Sequence, residues 1–282
     1  MSLYIKNNGS WVPPQVYVKH NNVWKEPTEI YVRQNGIWQL NYKSVTISAN
    51  TSNVNLQTLI GNPTQAITAI VNINSNVQIT STSTSTPAFD TTGIPSGSIL
   101  YLIVGSGAYI VGKGGTGGAR VSGRGDQGTA KPGTAGGTAL KTRIATYIIN
   151  NGTIGGGGGG GGGGSRTNTG GQAYDDYTGA GGGGAGFGAG GAGIGQCSTG
   201  GSPGTLTAGG AGIQWCSNGG SSEQQGGSYG GAGGSLGQAG AHGLPDPGTD
   251  NTNVGGAAGN AIDGLSYITK KTTGSILGPQ VN

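Results

Sequence analysis

Residues 152–166 read GTIGGGGGGGGGGSR, with ten consecutive glycines from Gly155 to Gly164. A run without side chains is either a floppy tether or a place where the backbone itself is the building material. The chain has 282 residues, of which 66 are glycine, against roughly 7% in average proteins. Only 9% are charged and 32% hydrophobic, so a conventional side-chain core cannot run the whole length. Seven glycines precede Gly112 and two follow Gly264, leaving 57 within 112–264, where clusters alternate with polar stretches such as SRTNTGGQAYDDYT and LPDPGTDNTNV.

Three arrangements compete for this tract. Collagen needs glycine at every third position and abundant proline; these clusters break that period, and proline totals 11. A flexible linker is the default for glycine, whose ordering carries the largest backbone entropy cost. A linker, however, has no use for the apolar punctuation supplied by Ile154, Ile194, Ile213, Leu236, Leu244, Ile262 and Leu265, which flank the clusters like end plugs. The third arrangement is a bundle of polyglycine-II helices. A threefold extended helix rises about 3.1 Å per residue and makes no internal hydrogen bonds. Its amides and carbonyls point outward, where neighbouring helices satisfy them. Without Cβ atoms the helices also approach closely enough for Cα–H···O contacts. The spacing therefore predicts rods of glycine, the longest about 31 Å, with loops at their ends. Loops on a rigid scaffold are where recognition usually resides.

The N-terminal residues 1–42 carry a repeat: LYIKNNGSW (3–11), VYVKHNNVW (16–24) and IYVRQNGIW (30–38). Each places apolar-Tyr-apolar-basic before an Asn-Gly or Asn-Asn turn and ends on Trp, a hairpin signal. Three such hairpins bury little by themselves. Their tryptophans either form a small private core or present three equivalent anchors to a partner with three equivalent sites, of which a homotrimer is the commonest. Residues 43–111 alternate or run apolar (VTISA, AITAIVNI, NVQIT, ILYLIVGSGAYIVG) with turn signals between, and read as a small β module. No helical period occurs.

The remaining signals exclude more than they assign. Fourteen basic against ten acidic residues give a net charge of +4 without a basic block, too little for nucleic acid. The N-terminus lacks a signal-peptide pattern, and no window approaches 18 apolar residues. Cys197 and Cys216 either join as a loop-to-loop disulfide or stay apart. The tripeptide Arg124-Gly125-Asp126 is expected by chance in glycine-rich sequence. GKGGTGG (112–118) lacks the spacing and the helix of a phosphate loop. Asp175 and Asp176 are adjacent and do not flank a glycosidic bond. His20 and His242 lack an obvious nucleophile or carboxylate partner. No catalytic constellation, cofactor or metal is expected.

The triplicated tryptophan segments and the alternation of glycine clusters with polar loops from Gly112 onward resemble the receptor-recognising adhesin at the long-tail-fibre tip of T-even-type bacteriophages, over essentially the whole chain. The resemblance implies an all-β N-terminal part plus a glycine-rich polyglycine-II helix sandwich, with no α-helix of consequence. Its divisions are attachment segment 1–42, β module 43–111, sandwich 112–264 and a C-terminal tail 265–282 that nothing in the sequence explains. It implies a virion protein, one copy per trimeric long-tail-fibre protein, docked through Trp11, Trp24 and Trp38 with Tyr4, Tyr17 and Tyr31 in support. It further implies distal loops, near 119–131, 165–178, 195–207, 213–225 and 244–254, that bind a bacterial outer-membrane protein receptor. Within them Tyr174, Asp175, Asp176 and Tyr177 mix aromatics with charge as binding loops do. Arg120 and Arg124 suit acidic receptor loops or lipopolysaccharide phosphates. Trp215 stands at the tip as an anchor or at the base as a plug. Other classes remain: an ice-binding or structural glycine-rich protein, or a fibre-assembly chaperone.

Overall fold

The computed structural model describes residues 5–7, 10–12, 17–34, 36–120, 122–123, 131–164, 176–177, 179–193, 198–214, 216–217, 229–244, 253–272 and 274–282. Three hairpins open the chain: β1 (Ile5–Asn7) with β2 (Ser10–Val12), β3 (Val18–His20) with β4 (Val23–Lys25), and β5 (Glu29–Gln34) with β6 (Ile37–Ile47). Asn21 and Asn22 adopt φ of 49° and 63°, and Gly36 81°, the left-handed backbone that tight hairpin turns demand. β6 outgrows its hairpin and enters a larger body.

That body is a parallel stack of three-strand coils. The first coil is β6, β7 (Thr51–Ser52) and β8 (Val54–Asn55). A single helical turn, α1 (Leu56–Leu59), follows, with the Asn55 side chain accepting from the Thr58 amide. The second is β9 (Thr68–Ile73), β10 (Gln78–Thr80) and β11 (Phe89–Asp90). The third begins with β12 (Ile99–Val104) and β13 (Tyr109–Val111), makes an excursion holding the short strand β14 (Ser122–Gly123), and closes with β15 (Leu140–Lys141). The fourth begins with β16 (Ala145–Asn150) and β17 (Thr153–Gly155). Its longer excursion contains β18 (Asp176–Tyr177) and β19 (Cys216–Ser217), and β20 (Ile262–Asp263) closes the coil. β21 (Ile268–Thr272), β22 (Ser275–Leu277) and β23 (Gln280–Val281) make the fifth. The first strands stack in the order β21-β16-β12-β9-β6-β5, the second as β22-β17-β13-β10-β7 and the third as β23-β20-β15-β11-β8.

Like residues stack on like along this body. Ile79, Ile110, Ile154 and Ile276 align in one sheet, and Val54, Phe89, Leu140 and Ile262 in another. Their side chains meet between the three sheets in one hydrophobic cluster. The β part therefore extends past the 43–111 expected from sequence, drawing in 140–155 and 262–281. The tail, SILGP included, is the last coil. The sequence reading breaks the β part at Gly112 because each of these two coils is interrupted between its second and third strands by a glycine-rich excursion.

The excursions form ten extended segments: I (112–120), II (131–139), III (155–164), IV (179–186), V (188–193), VI (198–205), VII (208–214), VIII (229–235), IX (238–244) and X (253–261). Segment III donates from residues 157, 160 and 163 to II, from 158, 161 and 164 to IV, and from 159 and 162 to IX. Its carbonyls at 155, 158 and 161 accept from I, those at 156, 159 and 162 from the 231–237 stretch that includes VIII, and those at 157 and 160 from X. These bonds measure 2.7–3.0 Å. Each third residue faces the same neighbour, as a threefold polyglycine-II helix requires. Segment IV likewise bonds to I, III, V, VI, VII and VIII. The pairings define a hexagonal array in three rows: II-I-V, X-III-IV-VI and IX-VIII-VII. A Cβ on Gly159 would lie 1.8 Å from the Gly256 carbonyl oxygen, so main chain packs on main chain with no room for a methyl.

Registers also fix direction. Odd-numbered segments run one way and even-numbered ones the other, since every chain-adjacent pair that bonds does so antiparallel. Short turns at 185–187, 205–208 and 235–238, and the joints to the coils at 112, 139, 155 and 261, share one end. Leu236 is buried there with Val111 and Ala185. Segment VI departs from the sequence expectation, which assigns 195–207 to a loop. Among the described residues the backbone of this edge rod pairs with IV, V and VII, and Ser202, Pro203 and Thr205 stay exposed without disturbing the lattice.

Candidate functional site

Two surfaces stand out. The first is on the hairpins. Their registers set Lys6 opposite Trp11, Lys19 opposite Trp24 and Arg33 opposite Trp38. Each pair is one step from a two-residue turn, the non-hydrogen-bonded position where cross-strand side chains come closest. Lys19 Nζ lies 5.9 Å from the centre of the Trp24 ring, at the outer range of a cation–π contact. Trp24 and Trp38 are 64% and 65% exposed, and Tyr17 and Tyr31 are about half exposed. A private tryptophan core is therefore not what these two rings form. Tyr17 shares a hydrogen bond with Glu26, which raises the phenol's pKa. The Tyr31 hydroxyl donates to Glu29 Oε2 at 2.8 Å, and Lys43 pairs with Glu29 Oε1. Tyr4 lies outside the described residues, and of Trp11 the structure describes the backbone.

The second surface is the array's other end. The connections I–II, III–IV, V–VI, VII–VIII and IX–X all leave there, away from the coils. Backbone pairing ties three of them together: β18 lies between β14 and β19, with Tyr177 opposite Ser122 and Cys216, and Asp176 opposite Gly123 and Ser217. Asp176 and Tyr177 thus sit on the central strand of a small antiparallel sheet. Further bridges link Gln214 to Tyr229, Tyr229 to Leu244 and Gly243 to Asn253. Tyr229, Leu244 and Val254 are exposed at this rim. Sequence reasoning missed Tyr229; it set Leu244 and Val254 at the two ends of its expected distal loop 244–254, but singled out neither as a contact and also took Leu244 for an end plug. The available signal was position: Tyr229 opens rod VIII, Leu244 closes rod IX, and Val254 is the second residue of rod X.

Arg120, which the sequence places among the receptor contacts, is instead buried at 5% exposure. Its Nε donates to the Thr199 carbonyl and its Nη2 to the Gln214 carbonyl, each at 3.0 Å. The guanidinium therefore crosses from segment I to the loop ends of VI and VII, beneath the surface. Burial pulls its pKa below the ordinary guanidinium value. Arg124, Tyr174, Asp175, Trp215 and Cys197 lie outside the described residues. A disulfide to Cys216 would involve Cys197, so the structure does not bear on it. Among the described residues no group of His, Cys, Asp or Glu is placed to hold a metal.

A rigid lattice of main chain that displays five loops at one end is the architecture of a binding protein. The chain belongs to the phage tail fibre adhesin Gp38 family, whose model matches residues 43–281. It is accordingly a tail-fibre protein of the virion, acting at the host surface. It is also similar to a chain of the gp37–gp38 adhesin tip complex of the bacteriophage S16 long tail fibre. The identity there is 26% and the TM-score 0.58, over 86% of this chain and 83% of the other. No curated protein matches. The hairpins 1–42 precede the stretch that the family model covers.

Proposed function

We propose that this chain caps a trimeric long-tail-fibre protein through its three hairpins and grips a bacterial outer-membrane protein with the loops at the far end of the polyglycine-II array. The observation that carries the reading is directional: all five long connections emerge at one end of the lattice, and the joints to the coils at the other. The hairpins match a trimer in number, one tryptophan-bearing unit per subunit, so a single copy serves each fibre. The relative's complex with gp37 supports the same assignment. At the loop end, Asp176 and Tyr177 on the central strand, with Tyr229, Leu244 and Val254 on the rim, supply aromatic, apolar and acidic groups. Tyr174, Asp175 and Trp215 belong to the same connections. Arg124 is the basic group proposed for acidic receptor loops or lipopolysaccharide phosphates, and Arg120 acts by holding loop ends in place.

Replacing residues 165–178 and 215–228 with those of a relative of different host range tests this. Host choice should follow the loops while fibre attachment persists. Unchanged host choice would refute receptor recognition by these loops.

A further inference from the structure

The hairpin registers carry a consequence for the partner. Within each unit the basic residue and the tryptophan form a directly opposed, non-hydrogen-bonded pair, so they share one face of the ribbon. Tyr17 and Tyr31 lie two residues before Lys19 and Arg33, on that same face. Any surface that covers Trp24 and Trp38 therefore also covers Lys19 and Arg33, both of which are exposed in this chain. The two carboxylates within residues 1–42 are already engaged: Glu26 bonds Tyr17, and Glu29 bonds Tyr31 and Lys43. Among the described residues the two ion pairs are Lys43–Glu29 and Arg143–Asp263, and neither Lys19 nor Arg33 takes part. Arg33 Nε reaches the Gly36 carbonyl at 3.3 Å within its own turn. Burying a cation without a counter-charge carries a desolvation penalty that works against what a tryptophan anchor gains.

We infer that each hairpin is recognised through a cation as well as an indole: the partner presents, at every threefold-related site, a carboxylate beside the apolar pocket that receives the tryptophan. Lys19 and Arg33 are the recognising cations, and the Lys6–Trp11 register extends the pattern to the first hairpin. The inference rests on the docking reading above and adds the partner's charge. It also accounts for a feature of the repeat that anchoring by aromatics leaves idle, namely a basic residue at the same place in all three units.

The test measures binding of the full chain to the purified trimeric fibre protein across sodium chloride concentrations, for wild type, K19Q/R33Q and W24A/W38A. Paired charges predict that wild-type affinity falls as salt rises. K19Q/R33Q should bind about tenfold weaker or more at low salt, with a flatter salt dependence. The charge-retaining K19R/R33K should keep wild-type salt dependence. Should K19Q/R33Q match wild type in affinity and slope while W24A/W38A loses binding, the cations face solvent: the inference fails and the docking reading survives. Undiminished binding by W24A/W38A would remove both. Unchanged thermal unfolding of K19Q/R33Q, expected for exposed positions, separates lost recognition from lost folding.

Discussion

Gly159→Ala is the sharpest probe of the lattice. The new Cβ would stand 1.8 Å from the Gly256 carbonyl oxygen, where ordinary contact begins at 3.4 Å, so segment X must retreat by about 1.6 Å. The Gly256 and Gly259 amides donate to Gly160 and Gly157 at 2.7 and 2.8 Å. Retreat stretches both beyond bonding distance between residues that are buried. Each orphaned buried group costs about 1–3 kcal/mol, and the overpacking itself about 1–3 kcal/mol. Against this, alanine restricts the unfolded chain and returns about 0.4–1 kcal/mol. A net loss of about 3 kcal/mol or more is expected, a fall in Tm of roughly 6–10 °C. Differential scanning calorimetry would measure it beside Ala232→Ser, an exposed position on segment VIII that should be neutral. The sign is decisive: a flexible tract would gain slightly from the same methyl. Equal melting of Gly159→Ala and Ala232→Ser would refute backbone-on-backbone packing.

Other outcomes follow from named contacts. Arg120→Met should leave the Thr199 and Gln214 carbonyls without their charged donor and cost about 2–4 kcal/mol. Hydrogen exchange should then quicken near 199 and 214, and Arg120→Lys should rescue poorly because one ammonium lacks the planar fork; unchanged exchange would count against the role. Phe187 holds φ of 62° in an exposed turn, so Phe187→Gly should raise stability by about 1 kcal/mol in thermal unfolding, and a clear loss would mean that the ring makes a contact worth more than the strain. Lys43, and then Tyr31, hold the Glu29 carboxyl below its ordinary 4.5. A depressed carboxylate contributes stability above its unfolded value and loses it as pH falls through the folded value. An NMR titration should therefore find Glu29 low in wild type and moving up toward 4.5 in Lys43→Met; no movement would dismiss the pair.

Much of this molecule was legible in one dimension because glycine clustering, turn dipeptides and repeated tryptophans are local signals. The run Gly155–Gly164 demands a packing in which backbone satisfies backbone. The triplet Trp11, Trp24, Trp38 announces three like hairpins whose Asn-Gly and Asn-Asn turns fix their register. Tertiary structure decided what depends on which distant residues meet. Five coils stack only once residues 140–155 and 262–281 rejoin a β body that the sequence interrupts twice, and no local pattern marks that return. Arg120 reads as a surface charge until the ends of segments VI and VII close over it. Rows, directions and loop ends likewise follow from the six-neighbour bonding of segments III and IV. A glycine's sequence says that main chain can approach, and only the assembled lattice says which main chain arrives.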